Sequence, residues 1–481
     1  MKKTKYYTAL FILFAVQISN AQQIPGLESS NYGGIYRATY NPSVIGGPKH
    51  KWQINIGTIG GSINYRYFVF LGKNSLLYPL LAPHSTKELY GRSRTMGSLT
   101  YKDPLYLVSE IRWPSASIAI DKYQGLALQF RTRGYVKGNN IPDPIQNLYF
   151  RRLDTGNTPS ISAQSWGNFN LVQQSFSDVS VTYGIQLLDL ESHKLRVGVT
   201  GKRVFGARIG YLNANADNFT IRPETGNEES SELVLTNLTY ESGYSQVVKK
   251  RKLGNLLDPE KYGSGWGYDL GVTYELGSYW KKGKDSYDES PEYLLRLGVS
   301  LTDIGSIRYR TTNNRVISGR QDQYVIGQND LETISDKGPE GFMSLLPAQS
   351  DTIFRKNVRL PQAIHLEADI QLVKGFFLNL SGTARYNAGS SEPLDIYQPN
   401  SFTITPRFED EDSDFAFPIS FIEGNNRPSI GAVGHFGPVF LGFSNVNGLI
   451  KKGGARGSMV YIGVTAWKLN RDKNPNQKKK L

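Results

Sequence analysis

Residues 361–386 read PQAIHLEADIQLVKGFFLNLSGTARY, and their apolar positions alternate. Ile364, Leu366, Ala368, Ile370 and Leu372 fall on one parity, and His365, Glu367, Asp369 and Gln371 on the other. Only a β-strand sends alternate residues to opposite faces, so this stretch predicts a strand with one apolar and one partly charged face. Lys374-Gly375 turns the chain and the alternation resumes. Phe376, Leu378 and Leu380 oppose Phe377, Asn379, Ser381, Thr383 and Arg385. A soluble sandwich would bury the apolar face. A transmembrane barrel would turn it to lipid and the polar face to the lumen. The hairpin alone fits both.

The same period recurs along the chain. Strands are predicted near 51–64, 113–120, 125–135, 177–188, 194–205, 266–276 and 293–302, then the hairpin, then 401–408, 415–422, 429–436, 439–445 and 458–467. The total is about fourteen. Connections after strands two, four, eight, ten and twelve are short; those after one, three, five, seven and nine are long. The connection after strand six breaks the rule. Outer-membrane barrels show this asymmetry between periplasmic turns and external loops, and an even count leaves both termini on the periplasmic side. Lipid cannot satisfy backbone N–H and C=O groups, so a spanning sheet must close on itself. The predicted fold is therefore all-β: a transmembrane, antiparallel, up-and-down barrel with long extracellular loops. Residues 232–240 read as a strand extending out of it. Residues 22–50 do not alternate and carry Asn31-Tyr32-Gly33-Gly34 and Tyr40-Asn41-Pro42-Ser43, so they must pack on something larger or stay disordered.

The ends refine this picture. Lys2, Lys3 and Lys5 precede a mostly apolar run from Ala9 to Ile18 and the small residues Ser19-Asn20-Ala21, which predicts a signal peptide cleaved after Ala21. No further run of about 18 apolar residues follows. The net charge of +13 is concentrated in this leader and in the tail, where Lys468, Arg471, Lys473, Lys478, Lys479 and Lys480 face only Asp472. The body is not charged like a nucleic-acid binder. The expected division is 1–21 signal peptide, 22–50 N-terminal hatch segment, 51–467 barrel and 468–481 basic periplasmic tail, the hatch being what the family resemblance given below implies.

Candidate chemistry is sparse. The chain has no cysteine, which removes thiolate nucleophiles and disulfides. Its five histidines, His50, His84, His193, His365 and His435, are not spaced as metal ligands. Gly263-Ser264-Gly265-Trp266-Gly267 leads into a strand rather than a phosphate-binding helix. No nucleophile elbow occurs. No metal, other cofactor or enzymatic activity is expected. The polar face of the hairpin groups His365, Glu367, Asp369 and Arg385. With Arg131, Glu275 and Arg296 they read as lumen-lining groups, serving either a salt-bridge network or a substrate path. Charges there must face one another or water. Asn41-Pro42 reads as a structural turn of the N-terminal segment, the alternative being a moving gate. Trp52, Trp113, Trp266 and Trp467 lie near strand ends, as interface girdles require. Leu76 to Leu81 is an apolar run in the first long insertion.

Tyr40-Asn41-Pro42 after an irregular N-terminal segment, with about fourteen strands, resembles the FadL-like outer-membrane transporters of long-chain fatty acids. Ser43 stands where that family's motif has alanine. Asn41-Pro42-Ser43, Leu301-Thr302-Asp303-Ile304-Gly305-Ser306-Ile307, and Leu360-Pro361-Gln362 opening a strand that ends in Lys374-Gly375-Phe376 are similar to a related group of Bacteroidota barrels of uncharacterised function. The chain runs past Trp467 instead of ending on the aromatic residue common in such barrels. The resemblance implies an outer-membrane location in a Gram-negative envelope, contact with outer-membrane lipid, and passive uptake of small hydrophobic molecules past a hatch. The alternative is a scaffold that binds an envelope protein through its external loops.

Overall fold

The computed structural model describes residues 26–64, 68–70, 93–95, 105–140, 160–190, 192–224, 227–245, 263–277, 293–309, 314–330, 333, 344–347, 349–353, 356–386, 394, 396–410, 413–423, 428–444 and 458–469. The expected leader, most of the basic tail, His84 and the Leu76–Leu81 run lie outside these residues.

The chain forms a closed antiparallel barrel of 14 strands. They are β1 (His50–Asn64), β2 (Leu105–Arg112, continued by Ser115–Ala119), β3 (Gln124–Asn139), β4 (Ile161–Leu190), β5 (His193–Glu224), β6 (Ser264–Gly277) and β7 (Tyr293–Tyr309). The second half comprises β8 (Lys356–Arg359, continued by Ala363–Val373), β9 (Phe376–Arg385), β10 (Ser401–Glu409) and β11 (Ser413–Ala416 and Ile419–Ile422). It ends with β12 (Ser429–Ile430 and Ala432–Phe436), β13 (Val439–Phe443) and β14 (Ser458–Leu469). Each strand pairs with its sequence neighbour, except that β14 pairs with β1 and closes the wall, with Ile59 opposite Ile462 and Gln53 opposite Trp467.

The two faces differ as a membrane barrel requires. Ile54, Ile56, Leu126, Leu128, Leu270, Val272, Leu297, Val299, Leu366 and Ile462 are exposed on the outer surface. Gln53, Asn55, Gln129, Arg131, Asp178, Thr273, Arg296 and Asp369 are buried on the inner one. Trp266 and Trp113 join the exterior, but Trp467 packs on the His435 ring at 5.0 Å rather than in an outer girdle.

Strands β4 and β5 are 30 and 32 residues long, far beyond the ten or so that cross a bilayer. Residues 161–174, expected as loop, are strand. The upper parts of both project past the rim opposite the termini. There Asn227–Ser245 pairs with β5, and Asn314–Ile326 pairs with Asn227–Ser245. The expected long loop 303–360 thus contains strand. An apolar cluster of Phe169, Leu212, Ala214, Leu235, Tyr240 and Ile317 backs this extension.

The lumen is filled in layers. Residues 26–49 lie inside the wall, with Leu27, Ile35, Tyr36 and Ile45 buried against Ala127, Val433, Phe440 and Tyr461. Nearer the external rim, Tyr106, Tyr135, Phe176, Tyr211, Ile307, Tyr309 and Leu360 form an apolar, tyrosine-rich stratum.

Candidate functional site: a seated N-terminal turn and two charge layers

The inner wall is unusually bare at one level. Gly125 pairs with Gly184, Gly184 with Gly198, and Gly198 with Gly271, so four neighbouring strands, β3 to β6, present a continuous row of glycines to the lumen. The turn Asn41–Gly46 lies directly on this row. A Cβ on Gly125 would overlap the Ile45 carbonyl, one on Gly184 the Gly46 amide, one on Gly198 the Pro42 carbonyl, and one on Gly271 the Asn41 side chain. Only glycine lets two backbones approach so closely.

Asn41 explains why the turn forms. It caps the short 3-10 helix Pro42–Ile45, and its Oδ1 accepts the Ser43 amide at 3.1 Å and the Ser43 hydroxyl at 2.7 Å. Proline at the first helical position loses no intrahelical bond. The cap also reaches the wall: Asn41 Nδ2 donates to the Val272 carbonyl and to Thr273 Oγ1, both at 3.3 Å, and Ser43 Oγ lies 2.6 Å from Thr273 Oγ1.

Arginines lock the other side of the segment. Arg296 donates to Glu367 at 2.8 Å, to the Ser29 carbonyl at 3.0 Å and to Asn31 Oδ1, and lies 3.1 Å from Asp369. Arg407 binds both oxygens of Asp369 at 2.9 Å and Glu409 at 2.8 Å. Arg37, from the segment itself, reaches Glu367 at 3.3 Å. Ser30 donates to Asp414 at 2.8 Å, and the Asn31 amide to Glu409 at 3.1 Å. Arg37, Arg296 and Arg407 thus face Glu367, Asp369 and Glu409 in a buried layer. Paired, such charges are tolerable; losing one partner costs several kcal/mol (about 3–5).

A second balanced layer lies nearer the external rim. Arg133 bridges Asp178 at 3.0 Å and Asp303 at 2.6 Å, Arg131 binds Asp178 at 3.2 Å, and Lys202 holds Asp269 at 2.6 Å and Asp303 at 2.7 Å. Asp303 points inward because the register slips opposite Tyr268 to Leu270 and its backbone adopts φ 59°, with its amide on Asp269 Oδ1 at 2.7 Å. Aspartate is among the few side chains that tolerate this left-handed conformation.

The candidates read from the sequence separate into groups. Arg296, Glu367 and Asp369 meet in the segment-facing layer, Arg131 sits in the second, and Asn41 and Pro42 lie on the glycine row. Glu275 pairs instead with Arg196, at 2.8 and 3.0 Å. His365 joins neither ion layer: its ring nitrogens face the Thr302 and Thr383 hydroxyls, both at 2.9 Å, and its ring packs 4.4 Å from that of Tyr40. Arg385 shares a face with His365 but lies at the external end, bonded to Glu423 and 4.1 Å over the Tyr397 ring. Sequence reasoning missed Arg37, Arg133, Lys202, Asp303, Arg407, Glu409 and the glycine row. Asp303 lay within a motif already singled out.

The family described as of unknown function, DUF5723, matches residues 43–444. The chain belongs to this family. No curated protein matches the sequence. Among solved structures, the chain is similar to a TodX deltaS2S3 mutant monoaromatic hydrocarbon channel, at 8% identity and a TM-score of 0.43, over 94% of this chain and 98% of that one. It is also similar to the Pseudomonas putida toluene transporter TodX (9%, 0.39, over 94% and 99%) and to a Pseudomonas aeruginosa FadL homologue (10%, 0.38, over 93% and 96%). Likeness at this level leaves the functional reading to the chain's own geometry. Among the described residues, no group of three or more His, Asp or Glu stands together as a metal site.

Proposed function

We propose that the protein is a gated passive-uptake barrel of the outer membrane, with residues 22–50 as its hatch. The observation that carries this reading is the glycine row. Where Gly125, Gly184, Gly198 and Gly271 stand, the wall offers no side chain to fill the lumen, and the filling comes from a separate segment. Withdrawal of the turn Asn41–Gly46 leaves an open slot along β3 to β6. The segment is held by hydrogen bonds from Ser30, Asn31 and Asn41, which water can replace on release, and by the ion pair of Arg37 with Glu367, which release must break. The cargo is a small hydrophobic molecule. The stratum of Tyr106, Tyr135, Phe176, Tyr211 and Tyr309 supplies the surface such a molecule would meet on the way down.

The chain lacks cysteine, which makes a clean test available. A double variant, Ser43→Cys with Thr273→Cys, places two thiols where the hydroxyls now touch. In liposomes, the oxidised variant should block uptake of an apolar fluorescent dye and the reduced one should restore it. Equal uptake in both states would sink the hatch. No uptake by the native protein either would point to the scaffold alternative.

A further inference from the structure

Above the tyrosine-rich stratum lies an external cavity of about 910 Å³, within the range of small-molecule sites. Its wall is not hydrocarbon-like. Six asparagines line it: Asn139, Asn140, Asn168, Asn170, Asn213 and Asn215. The register makes them an array. Asn139 pairs with Asn170, and Asn170 with Asn213, so one row crosses β3, β4 and β5. Asn168 pairs with Asn215 in a second row, two residues further out. The Asn170 amide donates to Asn213 Oδ1, which fixes both side chains on the same face. Neighbours in the array stand about 5 Å apart across strands and about 7 Å apart along them.

We propose that this vestibule is a recognition site for a neutral, polyhydroxylated ligand, that is, a saccharide. Each asparagine offers one acceptor and two donors without charge, the combination that matches adjacent hydroxyls. Asn139, Asn168 and Asn215 make no side-chain hydrogen bond among the described residues. Of the four charged residues that line the wall, Arg359 is exposed and the other three are engaged. Lys137 lies 4.8 Å over the Tyr397 ring, Arg385 binds Glu423, and Glu241 accepts the Tyr211 hydroxyl at 2.7 Å. The opposite wall adds Gln362 and Tyr386. Tyr386 is 48% exposed at the cavity, and an aromatic ring there could cover the C–H face of a sugar. A site for hydrocarbons would leave this many amides unpaired once water was expelled, which is costly. The inference holds whether or not apolar cargo passes below.

The full-length barrel in lipid nanodiscs tests it by calorimetric titration. The probes are neutral malto- and manno-oligosaccharides, the same sugars carried on a lipid head group in the disc, dextran sulfate, and toluene. Saturable binding of a neutral saccharide is expected. Binding of the free sugar marks a soluble source, and binding only of the lipid-borne one marks a membrane source. The Asn168→Ala/Asn215→Ala variant should weaken binding about tenfold or more, since each lost pair of amide contacts is worth about a factor of ten. It should keep the heat-dependent gel mobility of a folded barrel. Three results overturn the proposal: no neutral saccharide bound by the native protein, binding unchanged in the double variant, or binding confined to dextran sulfate and abolished by salt.

Discussion

The seat of the N-terminal segment and the external vestibule face the same lumen, yet they are built oppositely. At the seat the wall gives up its side chains, and the space is closed by backbone laid on glycine and by arginines shared between carboxylates. At the vestibule the wall keeps two short rows of uncharged amides, and the space stays open. The first arrangement reads one partner, already part of the chain. The second leaves hydrogen-bonding groups for a partner that comes and goes. Burial sets the difference. A buried layer must pair its charges within the protein, whereas an open vestibule can leave polar groups to solvent until a ligand arrives.

The comparison breaks most strongly at Arg407. Arg407→Met leaves Asp369 and Glu409 buried without their main cation, and should cost about 3–5 kcal/mol. The midpoint of the heat-dependent gel shift reads this loss, and an unchanged midpoint would mean that water, not arginine, satisfies those carboxylates. Next comes Gly198→Val. Its side chain enters the space of the Pro42 carbonyl, an overpacking worth about 1–3 kcal/mol, and should expose residues 26–49 to protease while the barrel still shows its gel shift. Gly201→Val, in the same strand but with nothing within 4 Å of its Cβ, is the control and should leave protection intact. Equal protection in both would remove the glycine row from the account. Asn41→Ala removes the helix cap and two wall contacts, for about 1 kcal/mol. It should raise proteolysis of the segment without changing the barrel.

The smallest effect concerns pH. Lys49 Nζ is buried 4.7 Å over the Tyr32 ring, and burial pushes its amine down to about 8, against the opposing pull of Glu409. The seated state therefore binds fewer protons than the released one above that pH. Seating should strengthen as pH rises from about 8 into the ordinary lysine range, and stay flat below it. Protease protection of the segment in native protein and in Lys49→Met reads this, and the variant should lose the slope.

Much of the wall was legible because lipid enforces a period of two: Leu366 and Leu372 face out and Glu367 and Asp369 face in, as alternation requires. Where the bilayer ends, that signal ends. Residues 161–174 carry polar groups such as Asn168, Asn170, Gln173 and Gln174 without a lipid-facing side, so they read as loop although they are strand. The glycine row was hidden for another reason. Each glycine is unremarkable within its own strand, and only the cross-strand register reveals the row. Asp303 was hidden by a slip that alternation does not anticipate. Arg385 shows the limit in the other direction: parity gives the face of a residue but not its height along the barrel.

The glycine row also bears on assembly. The turn Asn41–Gly46 is synthesised before any of the four strands that receive it, and Arg37 meets Glu367 across 330 residues. No groove exists until β3, β4, β5 and β6 are aligned to the residue, because a slip of one position would put side chains where the glycines should be. The segment that emerges first can therefore take its seat only after those four strands are in register.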